Sequence, residues 1–177
     1  IVVMKAQKKL GIEIPNSAIK AYEKVLRKID LKNIEKIEKK LRHDVNSRIE
    51  EFCNLAGYKH IHKGMTSRDL TDNVEQLQII RSLRLIRIKI IAVLYKLSKW
   101  SLETKEIVLT SRTHNVPAQP TTLGKRLSMF GEEILFALNR LDHLIENYPI
   151  RGLRGAVGTE IDQLTLLKGD KEKVRKF

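Results

Sequence analysis

The sequence is poor in several residue types: 177 residues include one cysteine, one tryptophan, four prolines and nine glycines, and 5% are aromatic. A single thiol, Cys53, excludes an internal disulfide framework and fits a reducing cytosol. The residues beside Cys53 predict a buried, inert side chain, not a nucleophile. Runs of about 18 uncharged apolar residues are also lacking, which argues against a membrane partner. We therefore expect a cytoplasmic protein.

Basic residues outnumber acidic ones, with 34 Lys and Arg against 21 Asp and Glu, which gives a net charge of +13. Such an excess can serve a nucleic-acid surface, an anionic small-molecule site or only a solvated surface. The basic residues are interleaved with acids, as in EKIEKK at residues 35–40, and are not massed in a tail. This pattern favours solvated helix faces, keeps an anionic ligand as the second interpretation, and does not favour nucleic acid.

The first third of the chain contains several signals for the starts and ends of helices. Gly11 and Gly57 are natural helix stops, and Asp30 is a natural N-cap for the stretch that follows it. A break near residues 42–44 is compatible with the apolar periodicity. These signals predict several short helices.

The segment between Gly64 and Pro117 contains neither glycine nor proline and predicts one long helix. Asp72, with Glu75 three residues later, resembles a capping box at its start. About 30 residues follow, which is roughly 45 Å of helix. Their apolar side chains cover most of the circumference: Ile79, Ile80, Leu83, Leu85, Ile86, Ile88, Ile90, Ile91, Val93, Leu94 and Leu97. A helix that is apolar nearly all round packs on several sides, against other subunits or other chain segments.

A second long helix is predicted from residue 121 to 147, and no segment alternates as a half-buried strand does. We therefore expect an all-α fold, in which long antiparallel helices form part of a central helical bundle beside a smaller helical N-terminal region. The expected domains are an N-terminal helical domain at residues 1–63 and the first part of the bundle domain at residues 64–177. Both ends of the chain are expected to be truncated.

Three segments do not follow helical patterns: residues 59–73, 111–126 and 151–160. Taken singly, each is also compatible with a helix N-terminus, an interhelical loop or a flexible glycine loop. Together they concentrate Thr, Ser, His, Asn, Gln and Gly, which can bind carboxylate and phosphate oxygens. Histidine is the side chain best suited to exchange a proton near neutral pH. Since His60 and His62 have no partners at metal-ligand spacing, neither a metal nor another cofactor is expected.

Four blocks in these regions resemble a known family. They are LRHDV at residues 41–45, HKGMTSRDLTDN at 62–73, RTHNVPAQPTTLGKR at 112–126 and RGAVGT at 154–159. Their order and separations resemble the adenylosuccinate lyase family, within the fumarase/aspartase/argininosuccinate lyase superfamily. The TS and TH blocks are similar to the whole superfamily, whereas RHDV and PAQPTT point to the adenylosuccinate branch.

The resemblance implies a β-elimination that releases fumarate. The family cleaves adenylosuccinate to AMP and fumarate, and also cleaves the related succinylaminoimidazole carboxamide ribotide in purine biosynthesis. A base removes a proton from the succinyl carbon beside a carboxylate, and an acid protonates the departing nitrogen. The implied partners are an anionic purine nucleotide substrate and further copies of the chain in a homotetramer.

The resemblance also implies roles for individual residues. His114 would be the general acid, and Thr113 would help to hold the succinyl group. Thr66 and Ser67 would form hydrogen bonds with the substrate's carboxylates. His62, before the TS block, would support the site.

One further pair is implied by the RHDV block. His43 would enter the site from a neighbouring subunit, and Asp44 could fix the tautomer of its ring. Which lysines and arginines would bind phosphate is left open by the resemblance.

The sequence departs from the family pattern at several positions. Val116 stands where relatives often carry Gln, and Glu160 places a negative charge where they usually have small or amide residues. The serine loop of the S-S-x-M-P-x-K-x-N type, thought to supply the base, does not occur in these 177 residues. An N-terminal Arg/Tyr block that binds substrate is absent as well. These residues alone are expected to be inactive.

Two alternatives remain. Another fumarate-releasing lyase of the superfamily, such as argininosuccinate lyase or fumarase, would share the TS and TH blocks but not RHDV and PAQPTT. A non-catalytic basic helical module would bind nucleic acid or a partner helix, and nucleic-acid binding would weaken steeply as salt rises.

Overall fold

The computed structural model describes all 177 residues, which form eight helices and one β-hairpin. The helices are α1 Val2–Lys9, α2 Asn16–Val25, α3 Leu31–Leu41, α4 Asp44–Ala56, α5 Ser67–Glu103, α6 Leu123–Glu146, α7 Ile161–Leu166 and α8 Lys171–Lys176. The strands are β1 Val108–Thr113 and β2 Val116–Thr122. The predicted all-α class with long helices is confirmed. None of the helices is both long and apolar enough to cross a membrane.

The chain forms two compact units, one made of residues 1–74 and 151–177 and the other of residues 75–150. These units describe the packing within this chain. The domain boundary between residues 63 and 64 stays a prediction.

Local signals set the ends of the helices in the first unit. The Asp30 side chain accepts a hydrogen bond from the Asn33 N–H at 3.0 Å and caps α3. Arg42 takes a left-handed conformation and ends α3, which confirms the break near residues 42–44. Gly57 ends α4 with a φ of 70°, a conformation that costs glycine little. The predicted N-cap and glycine stop are therefore confirmed.

Tyr22 lies at the centre of the core of the first unit. Its side chain is fully buried with Met4, Ile14, Val25, Cys53 and Ala56. Its hydroxyl donates a hydrogen bond to the Tyr58 carbonyl oxygen, lies 3.3 Å from Cys53 Sγ, and accepts from the His60 N–H at 3.2 Å. The core thereby fixes the segment that follows α4. It also confirms Cys53 as a buried thiol.

The second unit is a helical hairpin in which α5 and α6 run antiparallel. Arg87 Nε lies 2.6 Å from Asp142 Oδ1 across the two helices. Near the turn, the Gly124 N–H donates to the Thr104 carbonyl oxygen at 3.1 Å. Large apolar side chains on both helices remain exposed within this chain, among them Leu85, Ile88, Val93, Trp100, Phe130 and Phe136. The predicted pattern of an α5 that is apolar on several sides is thus present in the structure.

Two details of the sequence-based interpretation are wrong. The chain has strands where none was predicted, because β1 and β2 pair antiparallel across residues 108–122. Both strands are edges of a two-stranded sheet, where the prolines of β2 are tolerated because they need not donate to a ladder. The long helix also begins at Ser67, five residues before Asp72, because Asp69 accepts a hydrogen bond from the Thr66 N–H at 3.0 Å.

Candidate active site

His114 lies at the tip of the β-hairpin, as the first of two turn residues. Thr113 pairs with Val116 across the turn, so that His114 and Asn115 form a two-residue connection. Both have positive φ, 49° for His114 and 63° for Asn115, as a type I′ turn requires. His114 is exposed. The hairpin therefore presents an imidazole that can exchange a proton with a bound molecule.

Hydrogen bonds within the hairpin hold this turn. Arg112 Nη1 donates to the Asn115 carbonyl oxygen at 3.1 Å, and the Ser111 hydroxyl donates to the Gln119 carbonyl oxygen. Val116 is 56% exposed. The departure from Gln at this position therefore leaves an apolar side chain on the surface of the hairpin.

His43 caps the N-terminus of α4. Its Nδ1 accepts a hydrogen bond from the Asn46 N–H at 3.3 Å. Because an accepting ring nitrogen carries no proton, the neutral ring bears its hydrogen on Nε2. Asp44 Oδ1 lies 3.4 Å from the same Nδ1, where it can pair with the ring once the ring is protonated. The role of Asp44 in fixing the tautomer stays a prediction.

His62 lies half-buried in the stretch between α4 and α5, with a positive φ of 67°. Burial is the main cause of its lowered pKa; the Asp69 carboxylate opposes the shift, and His43 adds to it. The ring is therefore neutral near pH 7 and can act as a hydrogen-bond donor or acceptor. Asp69 and His43 therefore lie close enough to His62 to affect the pKa of its ring.

Thr66 and Ser67 lie at the start of α5. Both are partly exposed, whereas Asp69, in the first turn of the helix, is 2% exposed. Thr66 borders an open depression of about 490 Å³ whose other lining residues are Gly64, Met65, Ala156, Asp162, Thr165 and Leu166. Thr66 therefore borders a concave, accessible part of the first unit, and Ser67, the next residue, is partly exposed beside it.

Asp69 joins two of the sequence blocks. Its Oδ1 accepts hydrogen bonds from the Arg154 N–H at 2.9 Å and from Arg151 Nη1 at 3.0 Å. The Gly155 N–H lies 3.2 Å from both carboxylate oxygens, and the Thr66 N–H reaches Oδ2 at 3.0 Å. Asp69 thus ties residues 151–155 to the first turn of α5. It was not among the predicted site residues, although it lies inside the TSRD block.

Asn73 extends this connection by one helical turn. Its Nδ2 donates to the Gly152 carbonyl oxygen at 2.8 Å, and the Gly152 N–H donates to its Oδ1 at 3.1 Å. This reciprocal pair holds the main chain of Gly152 against α5, one turn beyond Asp69.

Residues 154–160 form a loop that is closed at its base. The Glu160 N–H donates to the Arg154 carbonyl oxygen at 3.1 Å, and Arg154 Nη1 lies 3.0 Å from Glu160 Oε1. The unexpected negative charge of Glu160 is therefore paired with Arg154. Gly158 and Thr159, near the end of the loop, are exposed.

The predicted site residues thus fall into two groups. His43, Asp44, His62, Thr66 and Ser67 belong to the first unit. Thr113 and His114 belong to the hairpin of the second unit. No group of three or more His, Cys, Asp or Glu side chains could hold a metal ion. Each group combines hydrogen-bond donors that can bind an anion with at least one histidine. This combination suits acid–base chemistry on an anionic molecule.

A family model described as lyase matches residues 1–164, which is most of the chain. The chain belongs to the lyase family. Adenylosuccinate lyase of Schistosoma mansoni is 34% identical over 176 residues, covering 97% of this chain and 36% of the relative. Adenylosuccinate lyase of Schizosaccharomyces pombe is 34% identical over 178 residues, covering 97% and 37%. The resemblance inferred from the four sequence blocks is thereby confirmed.

The chain spans little more than a third of the length of these curated relatives. Solved structures agree with this lyase fold. Fumarate lyase from Mesorhizobium sp. BNC1 superposes with a TM-score of 0.80 at 24% identity, covering 98% of this chain and 42% of that one. The 3-carboxy-cis,cis-muconate lactonizing enzyme of Pseudomonas putida gives 0.79 at 21% identity, covering 98% and 41%. At these sequence identities, the similarity to the two solved structures establishes only the fold.

Proposed function

We propose that this lyase chain is the part of an adenylosuccinate lyase that carries its general acid. The complete protein would eliminate fumarate from adenylosuccinate, giving AMP, and from the succinylaminoimidazole carboxamide ribotide in purine biosynthesis. The observation that carries the proposal is the 34% identity to adenylosuccinate lyases along 97% of this chain. The accessible histidine of the hairpin turn supports it.

The proposed elimination needs one proton to leave carbon and another to reach nitrogen. We assign the second transfer to His114, which would protonate the departing nitrogen as its bond to the succinyl carbon breaks. Thr113, the last residue of β1, would hold the succinyl group beside it. Thr66 and Ser67 would bind the substrate's carboxylates through their hydroxyl groups.

Two histidines of the first unit would support this chemistry. His62, whose burial lowers its pKa, would act as a neutral hydrogen-bonding group. His43 would be contributed to a neighbouring subunit's site, and its Nε2–H would be the donor because Asn46 holds Nδ1. Asp44 would stabilise the His43 ring when it is charged.

The base that removes the carbon proton would lie outside residues 1–177, which contain no S-S-x-M-P-x-K-x-N segment. These residues alone would therefore not complete the elimination. We further propose a cytoplasmic enzyme that needs no cofactor and has neither a membrane nor a nucleic-acid partner. The positive charge would serve solvated surfaces and the anionic nucleotide substrate.

The complete protein is expected to convert adenylosuccinate to AMP and fumarate, with no turnover of argininosuccinate. Fumarate release can be followed by its ultraviolet absorbance with each substrate in turn. Turnover of argininosuccinate alone would instead assign the protein to another branch of the superfamily. Salt-sensitive binding to duplex DNA or RNA, without turnover of either substrate, would support a basic binding module.

The complete protein is also expected to be a homotetramer at micromolar concentration. Its large exposed side chains on α5 and α6, such as Ile88 and Phe136, would be buried by other chain segments and other subunits. Light scattering coupled to size exclusion measures the mass directly. A monomer that persists at this concentration would contradict the proposed assembly.

A further inference from the structure

Asp69 is the most enclosed carboxylate of the chain, 2% exposed beside 4% for Glu51. Its side chain has no exposed surface, while that of Asp72, one turn along α5, is 30% exposed. Both aspartates pair with Arg151, at 3.0 Å for Asp69 Oδ1 and 3.4 Å for Asp72 Oδ2. Only Asp69 also accepts hydrogen bonds from main-chain N–H groups, those of Thr66, Arg154 and Gly155.

These donors keep the buried carboxylate ionised. Burial alone would raise the pKa of Asp69, but the N–H groups of Arg154, Thr66 and Gly155 and the charge of Arg151 lower it below its usual value. An amide in the same place would lose one accepting oxygen and turn an NH₂ group toward N–H donors. The arrangement therefore requires a carboxylate, and not merely a polar side chain of this size.

The bonds of Asp69 reach both parts of the candidate site in the first unit. One oxygen holds the main chain of Thr66, which borders the open depression, and the other holds Arg154 at the base of the loop 154–160. Within this loop Gly155 is buried, and a Cβ there would lie 3.1 Å from Asp162 Oδ2. The position of the loop against α5 therefore depends on the hydrogen bonds of the Asp69 carboxylate.

We propose that Asp69 is a positioning residue: it locks the loop 154–160 against the first turn of α5 and so fixes where Thr66 and Ser67 meet the substrate. This inference rests on the proposed function. Asp69 itself does not touch the substrate, because it is enclosed by the main chain that it holds. Its effect is exerted through Thr66, Ser67 and the loop.

The decisive comparison is Asp69→Asn against Asp72→Asn in the complete protein. Both changes remove one carboxylate charge beside Arg151, but only the first removes an acceptor from main-chain N–H groups. Asp69→Asn is expected to lower kcat/KM for adenylosuccinate by about 10²-fold, since a displacement near 1 Å can cost that much. Most of the loss should appear in KM, because displaced carboxylate-binding groups weaken ground-state and transition-state binding alike.

Asp72→Asn and Asp69→Glu are the comparison variants for the effect of Asp69→Asn on kcat/KM. Asp72→Asn is expected to stay within about threefold of the unaltered protein in kcat/KM. Asp69→Glu, which keeps the charge, should recover part of the affinity lost in Asp69→Asn. The pH profile of kcat should keep its shape in all three, because the proposed acid, His114, is unchanged.

A second measurement does not depend on turnover. Hydrogen exchange at the N–H groups of Thr66, Arg154 and Gly155 should be faster in Asp69→Asn than in Asp72→Asn, with the helix content equal by circular dichroism. If Asp69→Asn does not fold, Arg151→Gln keeps the carboxylate and its main-chain donors and should raise KM by less than tenfold without accelerating exchange at Arg154 and Gly155.

The outcomes separate the two proposals. If the unaltered protein does not turn over adenylosuccinate, the proposed function fails. The hydrogen-exchange comparison still tests whether Asp69 holds the loop 154–160 against α5. If Asp69→Asn and Asp72→Asn show the same hydrogen-exchange rates at these N–H groups, Asp69 does not hold the loop against α5. Faster exchange with an unchanged KM would make Asp69 a purely structural residue and would overturn the positioning role.

Discussion

Replacing His114 with alanine in the complete protein is expected to lower kcat for adenylosuccinate by roughly 10²–10⁴-fold, the range of general acid catalysis. This loss corresponds to an increase of about 3–5 kcal/mol in the activation free energy. Without the imidazole, the departing nitrogen must leave unprotonated or take its proton from water. The fold should be retained, because His114 is an exposed residue at the hairpin tip.

The turn geometry calls for a second variant at the same position. Alanine is strained at the positive φ of His114, whereas asparagine is among the residues that tolerate it. His114→Asn should therefore keep the hairpin and still lose activity to a similar extent. Steady-state kinetics of both variants separate the loss of the acid from a disturbed turn.

A matched control is His143→Ala, which removes an exposed histidine of α6 to which no catalytic role is assigned. It is expected to change kcat by less than about threefold. A loss below threefold in His114→Ala, or full activity in His114→Asn, would remove His114 from the acid role.

Replacing Gly124 with alanine should destabilise the junction between α5 and the hairpin by about 1–3 kcal/mol, the usual cost of overpacking. A Cβ at this position would lie 2.3 Å from the Ser101 carbonyl oxygen and 2.8 Å from Lys105 Cα. Both neighbours are main-chain atoms and cannot rotate away. The start of α6 must move instead, and β2, which ends at Thr122, must move with it.

Gly131 supplies the matched control for this prediction. It lies within α6, and a Cβ there would meet no heavy atom within 4 Å other than those of its chain neighbours and of its own helix backbone. Gly131→Ala should be neutral or stabilising by up to about 1 kcal/mol, because alanine favours helix more than glycine does. Urea denaturation of both variants in the complete protein measures the difference. Equal unfolding midpoints would contradict the close approach at Gly124.

Local signals predicted the elements that depend on local chemistry. Asp30 and Gly57 specify a helix start and a helix end within one turn of themselves, and both act as predicted. The sequence predicts a second long helix at residues 121–147, and the helix runs from Leu123 to Glu146. Its cap is Thr122, whose hydroxyl accepts from the Lys125 N–H at 3.2 Å.

The sequence does not predict the hairpin, because the turn and the second strand lack the usual local signals. Its turn uses His114 and Asn115 instead of the common Asn-Gly pair, and its second strand carries two prolines. Neither feature predicts a strand by itself. Only the pairing of β1 with β2 reveals that the segment holding His114 is a hairpin and not an irregular loop.

The family, the long helices and the four blocks that hold the predicted site residues can be predicted from the sequence, because composition, periodicity and motif order are properties of the linear chain. That TSRD and RGAVGT form one assembly is evident only from the three-dimensional fold. Asp69 reaches the Arg154 and Gly155 N–H groups across 85 and 86 residues. Propensities and caps act over a few residues, whereas a hydrogen bond across such a separation exists only once the chain path has brought donor and acceptor together.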